Sequence, residues 1–370
     1  MKGAQSQTLT LTTKDTSEWR QYSERVSLRD VYFDPDYLRV FEETYGYEAR
    51  LFVLRKGDSF VAYPFYLRSL STLPFWRAHE NTCTGQFDII STWYFGGPFM
   101  YFSEGVNESE MMKMFLEEFH SYCLSNGVVS EFARLHPILR NQEIIAKVAA
   151  GTERNRAIVY VDLSQDEQSI WANFKKSNRN AIAKAKRVGV YIERLDSGRG
   201  VETFRELYDE AMDRKQARAE YRFSPEFYVK LTQHLPNAVT VFLARYQGQV
   251  AASSLFIHKN DFVHYYLSAS DPRFLGASPN NLLLYEAILW AKDSGYKHFV
   301  LGGGYEPDDD LLKFKLGFSK TTADFHVFRK VHDAQAYAKL CKLRDHYDNS
   351  IGISSPKTGY FPEYRRPSAK

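Results

Sequence analysis

The predicted order of strands and helices in the first half of the chain is repeated in the second half. In the first half, a hairpin over 50–67 turns at Gly57 and is followed by an aromatic strand, a helix and a buried strand. In the second half, a hairpin over 239–258 turns at Gly248 and leads into the same series. The agreement lies in the pattern, with few identical residues. Two related α/β domains in tandem explain this repeat better than one continuous sheet.

The length of the chain also favours two domains. Its 370 residues exceed an average domain, and each half is long enough to bury a core of its own. A polar stretch at 140–156 precedes a new strand and separates the halves. We therefore predict a polar N-terminal segment, two α/β domains built on mixed sheets, and a C-terminal helix and tail, with the boundaries 1–30, 31–150, 151–332 and 333–370.

Apolar periodicity and capping residues locate the individual elements. A helix entered through Pro35 is predicted over 34–45, and Ser109 is expected to cap a helix over 110–125. An aromatic strand over 88–100 ends in a Gly-Gly-Pro turn, and a buried strand follows over 128–135. In the second half we predict strands at 157–163, 190–194, 239–245, 249–258, 262–268, 297–301 and 325–330, and helices at 170–188, 201–216, 225–235, 280–294 and 309–316.

Overall charge and composition exclude several classes of protein. A net charge of +3 and a pI near 8.5 are too mild to require nucleic acid, so we expect no DNA partner. The three cysteines are far apart without metal-ligand spacing, so we expect neither a disulfide framework nor a bound metal. The first twenty residues are polar and lack the apolar core that a secretory signal needs, and nowhere do about eighteen apolar residues run together. We therefore expect a cytoplasmic protein without a transmembrane anchor.

The predicted helix over 170–188 has one strongly basic side. Its apolar residues recur at helical spacing, and Lys175, Lys176 and Arg179 fall roughly opposite them. Arginine and lysine side chains grouped in this way can hold a diphosphate, because guanidinium forks match phosphate oxygens and ammonium groups add point charge. A solvated amphipathic face explains the same pattern, and the sequence alone leaves both interpretations open.

The second half has the order of one strand, two helices, three antiparallel strands, a helix, a strand, a helix and a last strand. Three segments stand within or next to this order: KKSNRNAIAKAKRVGV at 175–190, SPNNLLLYEAILWAKDSGYKHFVLGGG at 278–304 and LLKFKLGF at 311–318. With these segments, the order resembles a GNAT-type acyltransferase domain, and the tandem arrangement resembles the FemAB family and its BioF2-like relatives. The resemblance covers roughly residues 30–330 and is specific as a set. It implies a transferase that moves an acyl or aminoacyl group from an activated carrier to an amine.

A candidate carrier site lies before the helix predicted at 280–294. The segment 273–278 stands where GNAT proteins have a Q/R-x-x-G-x-G/A pyrophosphate loop, and a helix N-terminus there attracts a diphosphate. The sequence departs from the motif at Ser278, and Pro279 removes one N–H donor. An ordinary capped loop is the alternative. The residues predicted to contact coenzyme A are Arg273, Gly276, Ser278, Asn280 and Asn281.

A second candidate site follows the strand predicted at 297–301. Three successive glycines allow a substrate to lie against the main chain, so Gly303 and Gly304 are predicted substrate contacts. The acids after them are candidates for taking a proton from the incoming amine, with helix capping as the alternative for at least one. The predicted catalytic residues of this loop are Tyr305, Glu306 and Asp308.

The resemblance to FemAB proteins adds further site residues. It implies that Lys315 lies near the reacting carbonyl with Phe314 beside it, and that Arg179 contacts a phosphate, assisted by Lys175. Tyr94, on the aromatic strand of the first half, completes the predicted substrate contacts. The strand at 262–268 carries His264 and Tyr266, expected on one face, as further candidates for proton transfer.

Three functions are compatible with these residues. The first is transfer of an acyl group from acyl-CoA to an amino sugar or a cell-surface polysaccharide precursor, with a phosphorylated or nucleotide-linked sugar as acceptor. The second is a FemAB-like transfer of an amino acid from charged tRNA to a peptidoglycan or surface-glycan precursor. The third is a non-catalytic module that binds nucleotide sugars. We favour direct transfer without a covalent enzyme intermediate, because no Ser/His/Asp or Cys/His pattern occurs at useful local spacing.

Overall fold

The computed structural model describes residues 5–76, 85–306, 309–353 and 359–367. The chain forms two compact units. The first consists of Met1–Ser27, Tyr32–Asn155 and Phe325–Lys370, and the second of Leu28–Val31 and Arg156–Asp324. The boundaries proposed for the sequence domains stay a prediction. Among the described residues, no helix has the length and apolarity needed to cross a membrane.

The elements up to residue 162 include the predicted hairpin, the first helix and the buried strand. The strands are β1 (Gln7–Thr12), β2 (Glu48–Lys56), β3 (Ser59–Ser69), β4 (Phe87–Ser91), β5 (Phe99–Tyr101), β6 (Val128–Leu135) and β7 (Thr152–Asp162). The helices are α1 (Thr16–Ser23), α2 (Pro35–Tyr45), α3 (Glu108–Ser125) and α4 (Gln142–Val148).

The elements after residue 162 also follow the predicted order. The strands are β8 (Tyr191–Leu195), β9 (Val239–Tyr246), β10 (Gln249–Lys259), β11 (Phe262–Ser270), β12 (His298–Gly302) and β13 (Thr322–Val331). The helices are α5 (Glu167–Asn173), α6 (Lys176–Arg187), α7 (Val201–Arg214), α8 (Pro225–His234), α9 (Pro279–Asp293), α10 (Asp310–Lys315) and α11 (Ala334–Ser350).

Each unit contains a mixed sheet, and five strands have the same connectivity in both. The sixth strand differs, because β13 follows the other strands of its sheet in the chain and β7 precedes those of its own. In the first unit the strand order is β1-β2-β3-β4-β6-β13, and β4 is parallel to β6 after the crossover through α3. In the second unit the order is β7-β12-β11-β10-β9-β8, and β11 is parallel to β12 after the crossover through α9. All other pairs in both sheets with a determined register are antiparallel. The predicted mixed α/β fold with a repeated topology is confirmed.

The strand predicted at 325–330 pairs differently from expectation. We predicted it as the last element of the second domain, but β13 pairs with β6, joining His326 to Leu135 and Val331 to Ser130. Residues 325–331 therefore complete the sheet of the first unit. The sequence could not predict this pairing of β13 with β6, because strand pairing across about 190 residues leaves no local pattern.

Three predicted elements differ in their details. The helix expected over 170–188 is broken into α5 and α6, since Phe174 and Lys175 adopt extended backbone and the Lys175 N–H donates to Gly317 O at 2.9 Å. The strand expected over 88–100 is broken into β4 and β5 by a turn in which Tyr94 has φ +74°. The side chain that caps α3 belongs to Asn107 rather than Ser109, and it accepts from Glu110 N.

The core of the second unit fixes the sheet against α6 and α9. Ile182 and Ala185 of α6 and Leu283 and Ala287 of α9 are fully or almost fully buried against the strands. Burying each large apolar side chain contributes roughly 1.5–3 kcal/mol relative to exposure. The apolar side of the predicted basic helix is therefore part of the core. This packing holds the N-terminal ends of α6 and α9 in place.

Within the first unit, a buried carboxylate joins the C-terminal segment to the sheet. The Asp88 side chain has no exposed surface and accepts from Arg68 Nε at 2.9 Å, from Tyr364 OH at 3.2 Å and from Arg365 Nε. Two guanidinium groups and one phenol thus share one anion inside the protein. Such an arrangement is stable only while every partner is present.

We expect Asp88→Asn to destabilise the protein strongly, because it leaves two largely buried guanidinium groups without their anion. The expected loss in the free energy of unfolding is about 3–5 kcal/mol. Urea unfolding followed by circular dichroism measures it. The control is Asp345→Asn, whose half-exposed carboxylate binds Arg366, and which should lose less than about 1 kcal/mol. Equal effects of the two substitutions would show that the buried network does not stabilise the fold.

Candidate active site

The parallel strands β11 and β12 separate after a short common ladder. They pair from Phe262 and His298 as far as His264 and Val300, and the described ladder extends no further. Beyond this point β11 stays paired with β10 to Ser270, while β12 stays paired with β7 to Gly302. Backbone N–H and C=O groups that lose a strand partner need another partner. The separation therefore creates a place where an extended ligand can bind main-chain groups of both strands.

The corresponding parallel pair in the first unit is closed. After β4 ends, the chain returns to β6, where Gly96 N donates to Arg134 O at 2.7 Å and His136 N donates to Gly96 O at 3.1 Å. The Asn141 amide also donates to Gly96 O, at 2.9 Å. A side chain on Gly96 would overlap the Thr92 hydroxyl, so the glycine is needed for this close approach. The two units thus share a topology but differ at the position where a ligand would enter.

Two cations hold the glycine loop at the end of β12. Lys315 Nζ donates to Gly303 O at 2.6 Å. Arg156 Nη1 donates to Gly304 O at 2.7 Å and to Tyr305 O at 2.9 Å. Successive carbonyl groups of the loop therefore point at positive charges, and the backbone beside the separated strands has a fixed course. The predicted contacts Gly303 and Gly304 both lie in this loop.

One carboxylate holds the N–H groups of the same loop. Asp309 Oδ2 accepts from Tyr305 N at 2.6 Å and from Glu306 N at 3.2 Å, while its Oδ1 accepts from Leu312 N at 2.7 Å. A methyl group on Gly304 would overlap this carboxylate. Asp309 is therefore the N-cap of α10, as expected for at least one of these acids. The predicted catalytic Asp308 lies outside the described residues.

Lys315 is a buried amine with a shifted pKa. Its residue is 7% exposed, and burial lowers the pKa of the ammonium group to about 8, although the Asp309 carboxylate acts in the opposite direction. Charged and neutral forms are thus both accessible near neutral pH. A group poised in this way can donate a hydrogen bond to a developing negative charge and can also exchange a proton.

The predicted carrier loop is a short 3-10 helix, Pro272–Ala277. The Arg273 side chain is two-thirds exposed and binds Asp271, with Nε 2.9 Å from Oδ2. Ser278 has φ +58° and gives α9 no side-chain cap. Asn280 Nδ2 donates to Ser270 Oγ at 2.6 Å, which ties the start of α9 to the end of β11.

The backbone of this loop meets part of its own hydrogen-bonding needs. Asn281 N donates to Ser278 O at 3.2 Å, and Ser278 N donates to Leu275 O at 3.0 Å. A Cβ on Gly276 would meet no other atom, so internal packing does not require a glycine there. The open space beside Gly276 is compatible with close approach of a ligand.

The N-terminus of α6 has an unusual charge distribution. Lys175 and Lys176 are exposed, the first turn contains no acidic residue, and Lys175 gives no side-chain cap. Asn178 is 8% exposed, and its Nδ2 has no partner among the described residues. Positive side chains at the positive end of a helix dipole repel it, so this end favours an anion. Arg179 binds backbone, because Nη1 donates to Phe174 O and to Ala172 O.

The sequence matches a family described as an acetyltransferase (GNAT) domain over residues 172–315. This range begins within α5, ends at Lys315 and includes the separated strands. The chain therefore contains a GNAT-type acyltransferase domain. The GNAT domain implies an acyl-CoA co-substrate. Within residues 5–76, 85–306, 309–353 and 359–367, no group of three or more His, Cys, Asp or Glu side chains is arranged to hold a metal ion.

Solved structures show how far the fold extends. FemX shares 11% sequence identity with a TM-score of 0.67, over 90% of this chain and 99% of that chain. A tandem GNAT protein from the clavulanic acid biosynthesis pathway shares 9% identity with a TM-score of 0.54, over 88% and 98%. The C-terminal domain of a putative lysylphosphatidylglycerol synthetase from Agrobacterium fabrum shares 13% identity with a TM-score of 0.53, over 93% and 97%.

A search of curated protein sequences found no match. At these low identities, the structural similarity establishes the fold alone. The predicted FemAB-like fold with tandem GNAT-type domains is thereby confirmed. The roles of individual residues in the GNAT domain rest on their geometry.

The remaining predicted site residues have varied surroundings. Tyr305 is 53% exposed at the end of the glycine loop, and Glu306 beside it is exposed. Phe314 packs on the core, with its ring centroid 5.3 Å from that of Phe318. Tyr94 belongs to the first unit, where its ring stacks on Tyr32 at 6.4 Å. The roles proposed for all of these side chains stay predictions.

The strand β11 of the GNAT domain carries a buried histidine. His264 Nε2 lies 2.9 Å from both carboxylate oxygens of Asp30, and both side chains are almost fully buried. The register between β10 and β11 shifts opposite Tyr266, which forms a bulge. The simple alternation that placed His264 and Tyr266 on one face is therefore interrupted between them.

Three residues that position the site were not predicted to do so. Arg156 was only the end of a polar boundary, Asp309 was one of several candidate bases or capping acids, and Asn178 lay unremarked within the segment 175–190. The three glycines were an available signal for Asp309, because a loop with so little side-chain packing needs other anchors. No local pattern distinguishes Arg156 from other arginines, since its partners are about 150 residues away.

We expect the stability difference between the wild type and Lys315→Met to depend on pH. The unfolded ammonium group has its ordinary pKa near 10.5, so between about pH 8 and 10.5 the unfolded state binds more protons at this site. The stability contributed by the wild-type residue therefore rises with pH over this window, by a total on the order of 3 kcal/mol.

Urea unfolding of the wild type and of Lys315→Met between pH 7 and 11 measures the difference in their stability. Subtracting one from the other cancels the titrations that the two proteins share. The matched control is Lys313→Met, since Lys313 is on the same helix and largely exposed. Its difference from the wild type should be nearly independent of pH. A flat difference for Lys315→Met would contradict a buried amine with a lowered pKa.

Proposed function

We propose that this chain transfers an acyl group from a coenzyme A thioester to the amino group of a phosphate-bearing amino sugar or cell-surface polysaccharide precursor. The observation that carries the proposal is the buried Lys315 held against Gly303, at the end of the strand that separates from β11. A cytoplasmic location, where coenzyme A thioesters are available, belongs to the same proposal.

The residues around Lys315 support direct transfer. A bound thioester supplies an activated acyl carbon, and its carbonyl oxygen becomes negative when an amine attacks. In its charged form, the Lys315 ammonium group donates a hydrogen bond to that oxygen and stabilises the charge. The exposed Glu306 takes the proton of the incoming ammonium group, directly or through water. Asp309 is less suited as a base, because backbone N–H groups occupy both of its oxygens.

The start of α9 is the proposed site for the diphosphate of coenzyme A. Its first turn has no side-chain cap, and Pro279 contributes no N–H, so Asn280 and the residues after it supply the donors. Arg273 can join this site only if its guanidinium group leaves Asp271. At present the hydrogen bonds from Arg273 hold the pKa of the Asp271 carboxyl below its usual range. Diphosphate and Asp271 therefore compete for one guanidinium group.

The start of α6 is the proposed site for a phosphate of the acceptor. The helix N-terminus, the exposed Lys175 and Lys176, and the unpartnered amide of Asn178 all favour an anion. Arg179 supports this site by shaping the break before α6, since its guanidinium group binds the carbonyl groups that end α5.

Aminoacyl transfer from charged tRNA to a peptidoglycan or surface-glycan precursor is the second candidate. It is favoured by the fold shared with FemX and with the lysylphosphatidylglycerol synthetase domain, each over at least 90% of this chain. The latter name denotes a product with an aminoacyl group. The exposed lysines of α6 would also suit a nucleic-acid carrier. A non-catalytic module that binds nucleotide sugars is the third candidate.

A comparison of carriers tests the proposal. We expect acetyl-CoA or a longer acyl-CoA to raise the melting temperature of the purified chain, and Lys315→Ala to keep this shift while losing about 10²-fold or more in turnover. The control Lys313→Ala should retain both. Turnover with charged tRNA and no shift across an acyl-CoA panel would establish the second candidate instead. Unchanged turnover in Lys315→Ala would remove the assigned role of this lysine.

The acceptor site can be tested with UDP-N-acetylglucosamine as a probe. We expect the double variant Lys175→Ala, Lys176→Ala to bind it at least about tenfold more weakly, because the loss of even one hydrogen bond to a charged group costs roughly 1.5–3 kcal/mol. Isothermal titration calorimetry measures the affinity. Lys184→Ala, in the last turn of the same helix, is the control and should bind like the wild type. Equal losses in both variants would point to general attraction by the basic face.

A further inference from the structure

The connection between α7 and α8 brings tyrosines to the glycine loop. The rings of Tyr221 and Tyr305 are nearly perpendicular, at 86°, with their centroids 5.5 Å apart. The Tyr208 hydroxyl donates to Tyr221 O at 2.9 Å, so α7 holds the connection in place. We refer to Tyr208, Tyr221 and Tyr305 as the tyrosine cluster. Its members come from three separate stretches of the GNAT domain.

The backbone of Tyr305 has a fixed position next to the reaction site. Its N–H donates to Asp309, and its carbonyl accepts from Arg156. It lies two residues after Gly303, which binds Lys315. The Tyr305 residue is 53% exposed, so part of its surface faces solvent. A rigid backbone with an accessible ring is a suitable arrangement for recognition.

The electrostatic character of the cluster favours a cation. Burial raises the pKa of Tyr305, with further contributions from Tyr221 and Asp309, and burial also raises the pKa of Tyr208. The phenols of Tyr208 and Tyr305 therefore stay neutral, and their rings present electron-rich faces. Glu306 follows directly in the chain and adds a negative charge. An organic cation over a tyrosine ring is attracted by the ring quadrupole, most strongly where water is partly excluded.

We propose that the tyrosine cluster binds the acceptor's amino group in its protonated, ammonium form, against the exposed surface of Tyr305 and beside Tyr221. This inference rests on the proposed function, because an N-acyltransferase receives its acceptor largely as an ammonium ion at neutral pH. One proton passes from the ammonium group to Glu306 or to water before the neutral amine attacks the acyl carbon. The cluster thus selects alkylammonium acceptors and holds them against Tyr305, which follows Gly303 by two residues in the chain.

Tetramethylammonium, which cannot be acylated, is the test ligand, and tert-butyl alcohol is its neutral counterpart. Binding to the full chain is measured by ligand-observed NMR at constant ionic strength. We expect tetramethylammonium to bind roughly 2- to 30-fold more tightly than the alcohol, the range that a cation over an aromatic ring provides. Tyr305→Leu and Tyr221→Leu should abolish this preference, while Tyr305→Phe should keep it, because the ring face remains.

The matched control is Tyr191→Leu, which removes a tyrosine of similar exposure from β8 and should leave the preference unchanged. Three results would each overturn the inference. The two ligands could bind with equal affinity, the preference for tetramethylammonium could survive both leucine substitutions, or Tyr191→Leu could remove that preference as well. The acetyl-CoA melting shift is recorded for every variant. If acetyl-CoA raises the melting temperature of none of these proteins, only the proposed function is overturned. The preference for tetramethylammonium over the alcohol then still decides whether the tyrosine cluster binds ammonium groups.

Discussion

The hydrogen bond from Lys315 to the carbonyl oxygen of Gly303 is the interaction on which the site depends. Burying an ammonium group is costly, and here the cost is offset by a backbone acceptor and by the Asp309 carboxylate. That carboxylate also binds N–H groups of the glycine loop, and Arg156 binds the loop carbonyls. Charge burial, loop geometry and the cap of α10 are therefore parts of one network. Removing any partner leaves the others less satisfied.

The contrast between the two units explains how one topology serves two purposes. Each unit has a parallel pair of strands made through a helical crossover. In the first unit the chain folds back at Gly96 and closes the pair with backbone hydrogen bonds. In the second unit the strands separate after His264 and Val300, and the glycine loop follows the end of β12. Closure favours stability, while separation leaves backbone groups that a ligand can satisfy.

Much of the fold could be predicted from the sequence, because the repeat combines short-range signals that each act locally. Pro35 and Ser224 start their helices as expected. Lys315 was singled out by the resemblance to FemAB proteins, and its catalytic role stays a prediction. The break at Phe174 and Lys175 could not be predicted, since it depends on a hydrogen bond to Gly317, far along the chain. The same applies to the anchor at Arg156. At Phe174 and Lys175, a tertiary contact overrode the helical periodicity. At Arg156, the tertiary contacts left no local pattern in the sequence.

The pairing of β13 with β6 has a consequence for how the protein is made. The first unit contains the N-terminus, yet its sheet needs residues 325–331 and its buried Asp88 needs Arg365. A ribosome releases these residues only after the strands of the second unit, so the sheet of the first unit stays incomplete while the second unit is synthesised. The strands of the second unit all precede residue 303, and they become available earlier. Long-range pairing of this kind slows folding and prolongs exposure of an unpaired strand edge. The nascent chain therefore carries an open edge on β6 until residues 325–331 have been synthesised.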